Sequence, residues 1–359
     1  MTQLAAAIAA LELYVWTRPV WLSTWIASAI PSSGSDPLSG RADAPGRALK
    51  LPEFTTVSTE VLRAVAARHG LHVDGALAQL PETGIFNAVY LLGEHHVLRI
   101  PRNHPKHIEA LYREAIAVPA ARQAGVRTPA LVVFDDTCDL LSVPYVIYER
   151  VRGETLASLE LEPLPAADVW RELGSDLARL HAVTAGDLAA ALSSQKALPD
   201  PRELVASRSS DGWFTSSEAR WLLAWLDRLA PIALTSVPSR VLHGDSQATN
   251  VMVSSNPLRY VAVIDWGSAG WGDAAEDFAG VPLRAVPFML QGHRDLTALD
   301  DDDSAEARIL WRHLQLGLFT LPRGAVPGRS WAERPLAMLF EVLRFFLAGP
   351  HERWADLAP

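Results

Sequence analysis

Three side chains carry the clearest chemistry in this chain: Asp245, Asn250 and Asp265. The first two lie five residues apart in Val241-Leu-His-Gly-Asp-Ser-Gln-Ala-Thr-Asn-Val251, and the third follows an apolar run in Val263-Ile-Asp-Trp-Gly267. A carboxylate facing an acceptor hydroxyl, with an amide and a second carboxylate to hold Mg²⁺, is the equipment of phosphoryl transfer. Mg²⁺ takes hard oxygen ligands and keeps several waters, which suits Asn250, Asp265 and nucleotide phosphates. Asp245 is then the group that accepts a hydrogen bond from the hydroxyl. Taken singly, Asp245 reads equally well as a turn residue, Asn250 as a satisfied loop amide and Asp265 as a cap. Their order and spacing point to chemistry.

The elements around them are readable. Arg259-Tyr-Val-Ala-Val-Ile264 is apolar and β-branched, which predicts a buried strand ending at Asp265. Asn250-Val-Met-Val-Ser254 predicts its partner, with Ser255-Asn-Pro257 as the turn. Such a hairpin holds Asn250 and Asp265 together at one end, with Asp245 on the loop before it.

The pattern His243-Gly-Asp-x-x-x-x-Asn250, followed by the Asp265 motif, resembles the aminoglycoside phosphotransferase family, small-molecule kinases with a protein-kinase-like fold. Protein kinases carry an Arg where this chain has Gly244. The resemblance runs from about Ser58 to the C-terminus. It implies an α+β, two-lobed fold: a small antiparallel-sheet N-lobe over residues 51–150 and a larger, mainly helical C-lobe over 151–359. It also implies Mg²⁺-dependent transfer of the γ-phosphoryl of ATP or GTP to a hydroxyl of an aminoglycoside-like or other antibiotic. Asp245 takes the catalytic role, and Asn250 and Asp265 hold the metal. His243 is expected as a structural histidine under the loop. In Gly270-Trp-Gly-Asp-Ala-Ala-Glu-Asp-Phe-Ala279, a helix start is expected, with Asp277 accepting N–H bonds from the catalytic loop and Asp273 capping or approaching the acceptor.

Ser58 predicts a helix N-cap, with Thr59 to His69 helical and Gly70 as the stop. Glu82 to Leu92 and His96 to Ile100 predict strands around Gly93-Glu94, and Ala130–Phe134 and Pro144–Glu149 a second pair around Asp135-Asp136. By the resemblance, the loop at Gly84, with the small polar Asn87 following, covers the nucleotide phosphates, and a plain hairpin glycine would look the same. Arg99 occupies the usual phosphate-anchoring lysine position, with Arg102 and Lys106 as weaker stand-ins. Glu114 is its candidate ion-pair partner. Tyr148 to Gly153, including Glu149 and Val151, is expected as the hinge that meets the purine edge through its backbone.

Further on, Val169, Leu173, Leu177 and Leu180 share a helix face, and Trp221, Leu222, Trp225, Leu226 and Leu229 form a stripe expected in the core. The acidic run Asp300 to Asp303, with Glu306, reads as a solvated loop or helix start ahead of a polycation trap. A single cysteine excludes an internal disulfide and fits a reducing cytoplasm. The formal charge of −9 and the lack of a basic run argue against nucleic acid and suit a cationic acceptor. Residues 1–50 read as an apolar extension and linker of uncertain order; a membrane-associated helix ranks second and a signal peptide last. Two rivals stay open on the same fold: a kinase of choline, homoserine or another amino alcohol, and a non-catalytic nucleotide-binding module.

Overall fold

The computed structural model describes residues 52–80, 86–184, 188–323, 334, 336–350 and 352–359. Residues 1–50 and Gly84, with the expectations attached to them, lie outside this set. Helix α1 (Thr59–Arg68) starts where Ser58 Oγ accepts the Val61 N–H at 3.4 Å. Strands β1 (Leu77–Gln79), β2 (Asn87–Leu92), β3 (His96–Pro101), β4 (Leu131–Asp135) and β5 (Tyr145–Glu149) form one antiparallel sheet in the order β1-β2-β3-β5-β4. Period-two alternation divides its faces. Tyr90, Leu98, Ile100, Tyr145 and Ile147 pack with Leu62 and Val65 of α1 in a small core. Val146 and Tyr148 turn the other way, onto α2 (Pro105–Gln123) and the main core. Arg99 sits between Leu98 and Ile100 in sequence and therefore projects from the opposite face, where α2 lies.

The larger lobe contains α3 (Ala167–His181), α4 (Pro201–Ser210), α5 (Ser216–Ala233), α6 (Val286–Arg294), α7 (Ala305–Thr320) and α8 (Ala337–Leu347). Short strands β6 (Glu154–Thr155), β7 (Arg240–Leu242), β8 (Val251–Ser255), β9 (Leu258–Val263) and β10 (Gly270–Gly272) form two further sheets, β6-β8-β9 and β7-β10. Helices α3 and α6 touch backbone to backbone. A Cβ added at Gly174 would lie 1.9 Å from the Met289 carbonyl oxygen, and one at Gly292 would lie 1.8 Å from that of Arg171. Gly174→Ala is accordingly expected to cost about 1–3 kcal/mol, as overpacking of a tight contact does. A urea midpoint equal to that of the parent would contradict this packing.

Several expectations change. Trp221 is 46 % exposed, while Trp225 is buried; the 3.6-residue period carries Trp221 to the edge of the stripe, where its ring lies 5.9 Å from that of Trp225. Gly270–Gly272 forms a strand paired with β7, and the helix after it is a 3₁₀ turn, Ala274–Phe278. The β4–β5 connection is a longer loop, 136–144, than a turn at Asp135-Asp136. The sheet has the five strands expected of a small lobe of this kind, but the sequence does not place β1, whose three residues carry little periodic signal. No helix among the described residues is long and apolar enough to cross a membrane.

Candidate active site

The hairpin β8–β9 pairs Val251 with Val263 at its open end and Ser255 with Leu258 at its turn. The Ile264 N–H donates to the Asn250 carbonyl at 2.9 Å, which brings Asn250 and Asp265 to the same end. Asp265 then adopts φ 67° and ψ 73°, a left-handed conformation that aspartate tolerates better than most residues. A backbone kept in that region at a strand end re-aims the carboxylate out of the hairpin.

Asp245 is half-buried on the loop between β7 and β8. Gln247 Nε2 donates to its Oδ1 at 2.8 Å, and Asn250 Nδ2 donates to its Oδ2 at 2.9 Å and to its backbone carbonyl at 2.8 Å. Two amides thus pin the carboxylate in place. Asn250 spends its donor end on Asp245, and its Oδ1 accepts no hydrogen bond among the described residues. That orientation is right for a hard cation: an amide oxygen from Asn250 and a carboxylate from Asp265, with phosphates and water completing the shell. No group of three or more His, Cys, Asp or Glu side chains poised for a metal occurs among the described residues. The donor set therefore fits an ion that keeps other ligands, as Mg²⁺ does, and is too sparse for a closed protein cage.

The loop is held from below. Asp277 accepts the His243 N–H at 2.9 Å on Oδ2 and the Gly244 N–H at 2.7 Å on Oδ1, and Ser246 Oγ donates to the Asp277 carbonyl. His243 Nδ1 accepts the Asp245 N–H at 3.2 Å, and its Nε2 lies 3.1 Å from the Ile264 carbonyl. A carbonyl accepts only, so Nε2 carries the proton and Nδ1 does not: the ring is neutral. Burial pushes His243 below the usual imidazole range, which agrees. One histidine thereby ties the Asp245 loop to the strand end that carries Asp265. Gly244 has φ +77°, and a Cβ there would lie 2.2 Å from the Ser268 carbonyl oxygen, so only glycine fits.

Arg99 enters from the sheet. Its Nη1 donates to Glu114 Oε2 at 2.7 Å and its Nη2 to Asp265 Oδ1 at 3.0 Å; Tyr148 Oη also donates to Glu114 Oε2, at 2.7 Å. The fork of the guanidinium joins α2 to the Asp265 turn in a way a single ammonium would not. For Asp265, burial alone would raise the carboxyl, but the charge and hydrogen bond of Arg99 outweigh it and hold the group below the usual range. Glu114 goes the other way: burial and the nearby Asp265 carboxylate outweigh Arg99 and push it up to about 7 from 4.5. In that window the folded protein binds a proton the unfolded chain has released, so stability falls as pH rises. Glu114→Gln is expected to flatten the stability curve between pH 4.5 and about 7, read by urea midpoints across that range. An unchanged slope would mean that Glu114 stays ionised throughout.

The remaining sequence-derived positions are not brought into this constellation. Asn87 starts β2 opposite Pro101, Glu149 ends β5 opposite His96 and is exposed, and Val151 lies two residues beyond that strand end. Asp273 caps the 3₁₀ turn by accepting the Ala275 N–H at 2.9 Å and is paired with Arg308. The acidic run is largely matched: Asp300 with Arg240 at 2.7 Å, Asp302 with Arg294 at 3.0 Å and Glu306 with Arg294 at 2.8 Å. Sequence reasoning missed Gln247, although its place two residues after Asp245 was a usable signal. It also missed Tyr148 as a partner of Glu114, and the cavity of about 100 Å³ beside Asp245, whose walls include Gln195, Lys196, Glu276, Arg312 and Met338.

A two-lobed, protein-kinase-like fold with these groups at the hairpin end defines a phosphotransferase of small molecules. The chain belongs to the phosphotransferase enzyme family, whose model matches residues 44–326. It is 29 % identical over 231 residues to the viomycin phosphotransferase of Streptomyces vinaceus, covering 59 % of this chain and 74 % of that one. Among solved structures, the fold is similar to the GDP complex of wild-type aminoglycoside 2'-phosphotransferase-IIIa, with a TM-score of 0.57, 19 % identity, and 80 % of this chain and 99 % of that one covered. It is also similar to macrolide 2'-phosphotransferase from Brachybacterium faecium, with a TM-score of 0.52, 22 % identity, and 82 % and 99 % covered.

Proposed function

We propose that this enzyme moves the γ-phosphoryl group of ATP or GTP to a hydroxyl of a small-molecule antibiotic in a Mg²⁺-dependent reaction. The observation that carries the reading is the pinned Asp245 carboxylate beside a cavity, with the Asn250 amide oxygen, which accepts no hydrogen bond among the described residues, and the Asp265 carboxylate at the adjoining hairpin end. Asn250 and Asp265 are the residues to hold Mg²⁺, which when bound neutralises charge on the phosphates. Arg99 takes the phosphate clamp in place of the usual lysine, ordered by Glu114. Asp245 orients the acceptor hydroxyl and takes its proton as the oxygen attacks phosphorus. Little covalent work falls to the protein, because positioning dominates a loose phosphoryl-transfer transition state. In this reading the segment carrying Gly84 covers the phosphates, with Asn87 following at the start of β2, and the backbone around Glu149 and Val151 meets the purine edge. A cytoplasmic location, where nucleotide is abundant, follows from the same reading.

The relatives support an antibiotic acceptor by their own activities: one is a viomycin phosphotransferase, and similar folds are aminoglycoside and macrolide phosphotransferases, one bound to GDP. A second reading, a zwitterionic amino-alcohol metabolite, is favoured by the mixed charge of the cavity wall, where Lys196 and Arg312 stand with Asp245 and Glu276. Nucleotide consumption with Mg²⁺ decides between them across panels of cyclic-peptide, aminoglycoside and macrolide antibiotics and of amino alcohols. Turnover with an antibiotic panel supports the first reading, turnover with amino alcohols alone replaces it with the second, and nucleotide binding with no turnover on any panel counts against both.

A further inference from the structure

Beneath the catalytic loop, a row of buried polar groups runs from Asp277 across the α3–α6 contact. Asp277 Oδ2 lies 3.0 Å from His181 Nε2, His181 Nδ1 lies 3.1 Å from His293 Nε2, and His293 Nδ1 lies 2.8 Å from the Thr297 carbonyl oxygen. His181 closes α3 and His293 sits in the last turn of α6, and the glycine contact between these helices brings the two rings within reach. Both ends of the row only accept. The Thr297 carbonyl has no proton to give, and the two Asp277 oxygens already receive the His243 and Gly244 N–H groups. Three hydrogen bonds in line therefore need three protons on the two rings, whereas two neutral imidazoles carry only two.

We propose that the His181–His293 pair holds one extra proton, and that this buried imidazolium fixes the Asp277 carboxylate, making His181 and His293 positioning residues for the Asp245 loop. The catalytic part of this inference rests on the phosphotransfer reading above; the proton count does not. The charge resides on His181. Its position at the C-terminal end of α3 favours a cation through the helix dipole. Asp277 faces it directly, and Asp300 adds a further negative field. Around His293, burial and the charge on His181 push the ring down to about 4, with Arg294 acting in the same direction and Asp302 against it. His293 is thus neutral: Nδ1–H donates to Thr297, and bare Nε2 accepts from His181. Asp277 is held below the usual carboxylate range; its burial would raise it, but the hydrogen bond and charge of His181, with the Gly244 N–H bond, outweigh that. A buried cation with one carboxylate and no second acceptor would have an N–H left over. His293 supplies that acceptor.

The test is nitrogen-15 NMR of histidine-labelled, full-length enzyme, with steady-state kinetics on two variants. In the parent, one histidine is expected to show both ring nitrogens protonated, the third proton that the row of hydrogen bonds requires. His293→Leu removes the acceptor for His181 Nδ1; the doubly protonated signal should vanish, and kcat should drop about tenfold, the worth of one hydrogen bond to a charged group, with nucleotide KM unchanged. His293→Gln offers an amide oxygen to His181 and an amide N–H to Thr297, and should restore both signal and kcat. A parent spectrum in which every buried histidine is neutral overturns the proposal, and so does a His293→Gln enzyme as impaired as His293→Leu. Should His293→Leu fail to fold, the parent spectrum and His293→Gln still decide. If Asp245→Ala retains full turnover, the reaction assignment fails while the spectrum independently settles the proton.

Discussion

Replacing Asp245 with alanine is expected to lower kcat by about 10²–10⁴-fold, the usual worth of a positioned general base, while nucleotide affinity stays within about twofold. The separation of the two effects follows from how Asn250 is held. Its Nδ2 donates to the backbone carbonyl of Asp245 at 2.8 Å as well as to the side chain at 2.9 Å. Alanine removes only the second of these, so the amide oxygen of Asn250 keeps its direction. Gln247 loses its partner at Asp245 Oδ1, a change confined to that loop. Single-turnover kinetics and nucleotide titration of the same preparation measure both numbers. Parent-like turnover would remove Asp245 from the reaction; a loss confined to nucleotide binding would place it with the phosphates.

The second large effect belongs to Asp277. Its side chain is fully buried and satisfies the N–H groups of His243 and Gly244 together with His181. Asp277→Ala leaves two backbone donors and a histidine without their acceptor, and removing one member of a buried pair costs about 3–5 kcal/mol. The urea midpoint should fall accordingly at an unchanged slope, and kcat should fall with it even under conditions where the variant is folded. A change below about 1 kcal/mol would show that water reaches the loop from beneath and replaces the carboxylate. Asp277 touches no reacting atom in this account; it acts by keeping the loop that carries Asp245 in one conformation.

The parts of this molecule that were legible beforehand are those with local causes. The β8–β9 hairpin announces itself through an apolar β-branched run and a turn, so the meeting of Asn250 and Asp265 followed from a short stretch of chain. Ser58 as a helix cap and the buried stripe Val169, Leu173, Leu177 and Leu180 are likewise local. What escaped depends on contacts between distant residues. Trp221 and Trp225 occupy one helix and differ only in which face the neighbouring elements cover. The strand Gly270–Gly272 exists because β7 offers it an edge, and a Gly-Trp-Gly segment has no β periodicity of its own. Tyr148 reaches Glu114 across 34 residues, and His181 meets His293 across 112, pairings that no spacing rule encodes. Arg99 was identifiable from its strand, whereas its double engagement with Glu114 and Asp265 required the fold.

The crowding around Gly244 carries a consequence for control. Many protein kinases place an arginine at this point of the loop, and kinase activation loops are ordered when a phosphorylated residue pairs with arginine. Here the Ser268 carbonyl and the Gln195 amide fill the space a side chain would need. An inhibitory or activating phosphate therefore has no counter-charge to grip at this position, and the loop is already braced by Asp277 and His243. This point of the loop offers no such on–off handle.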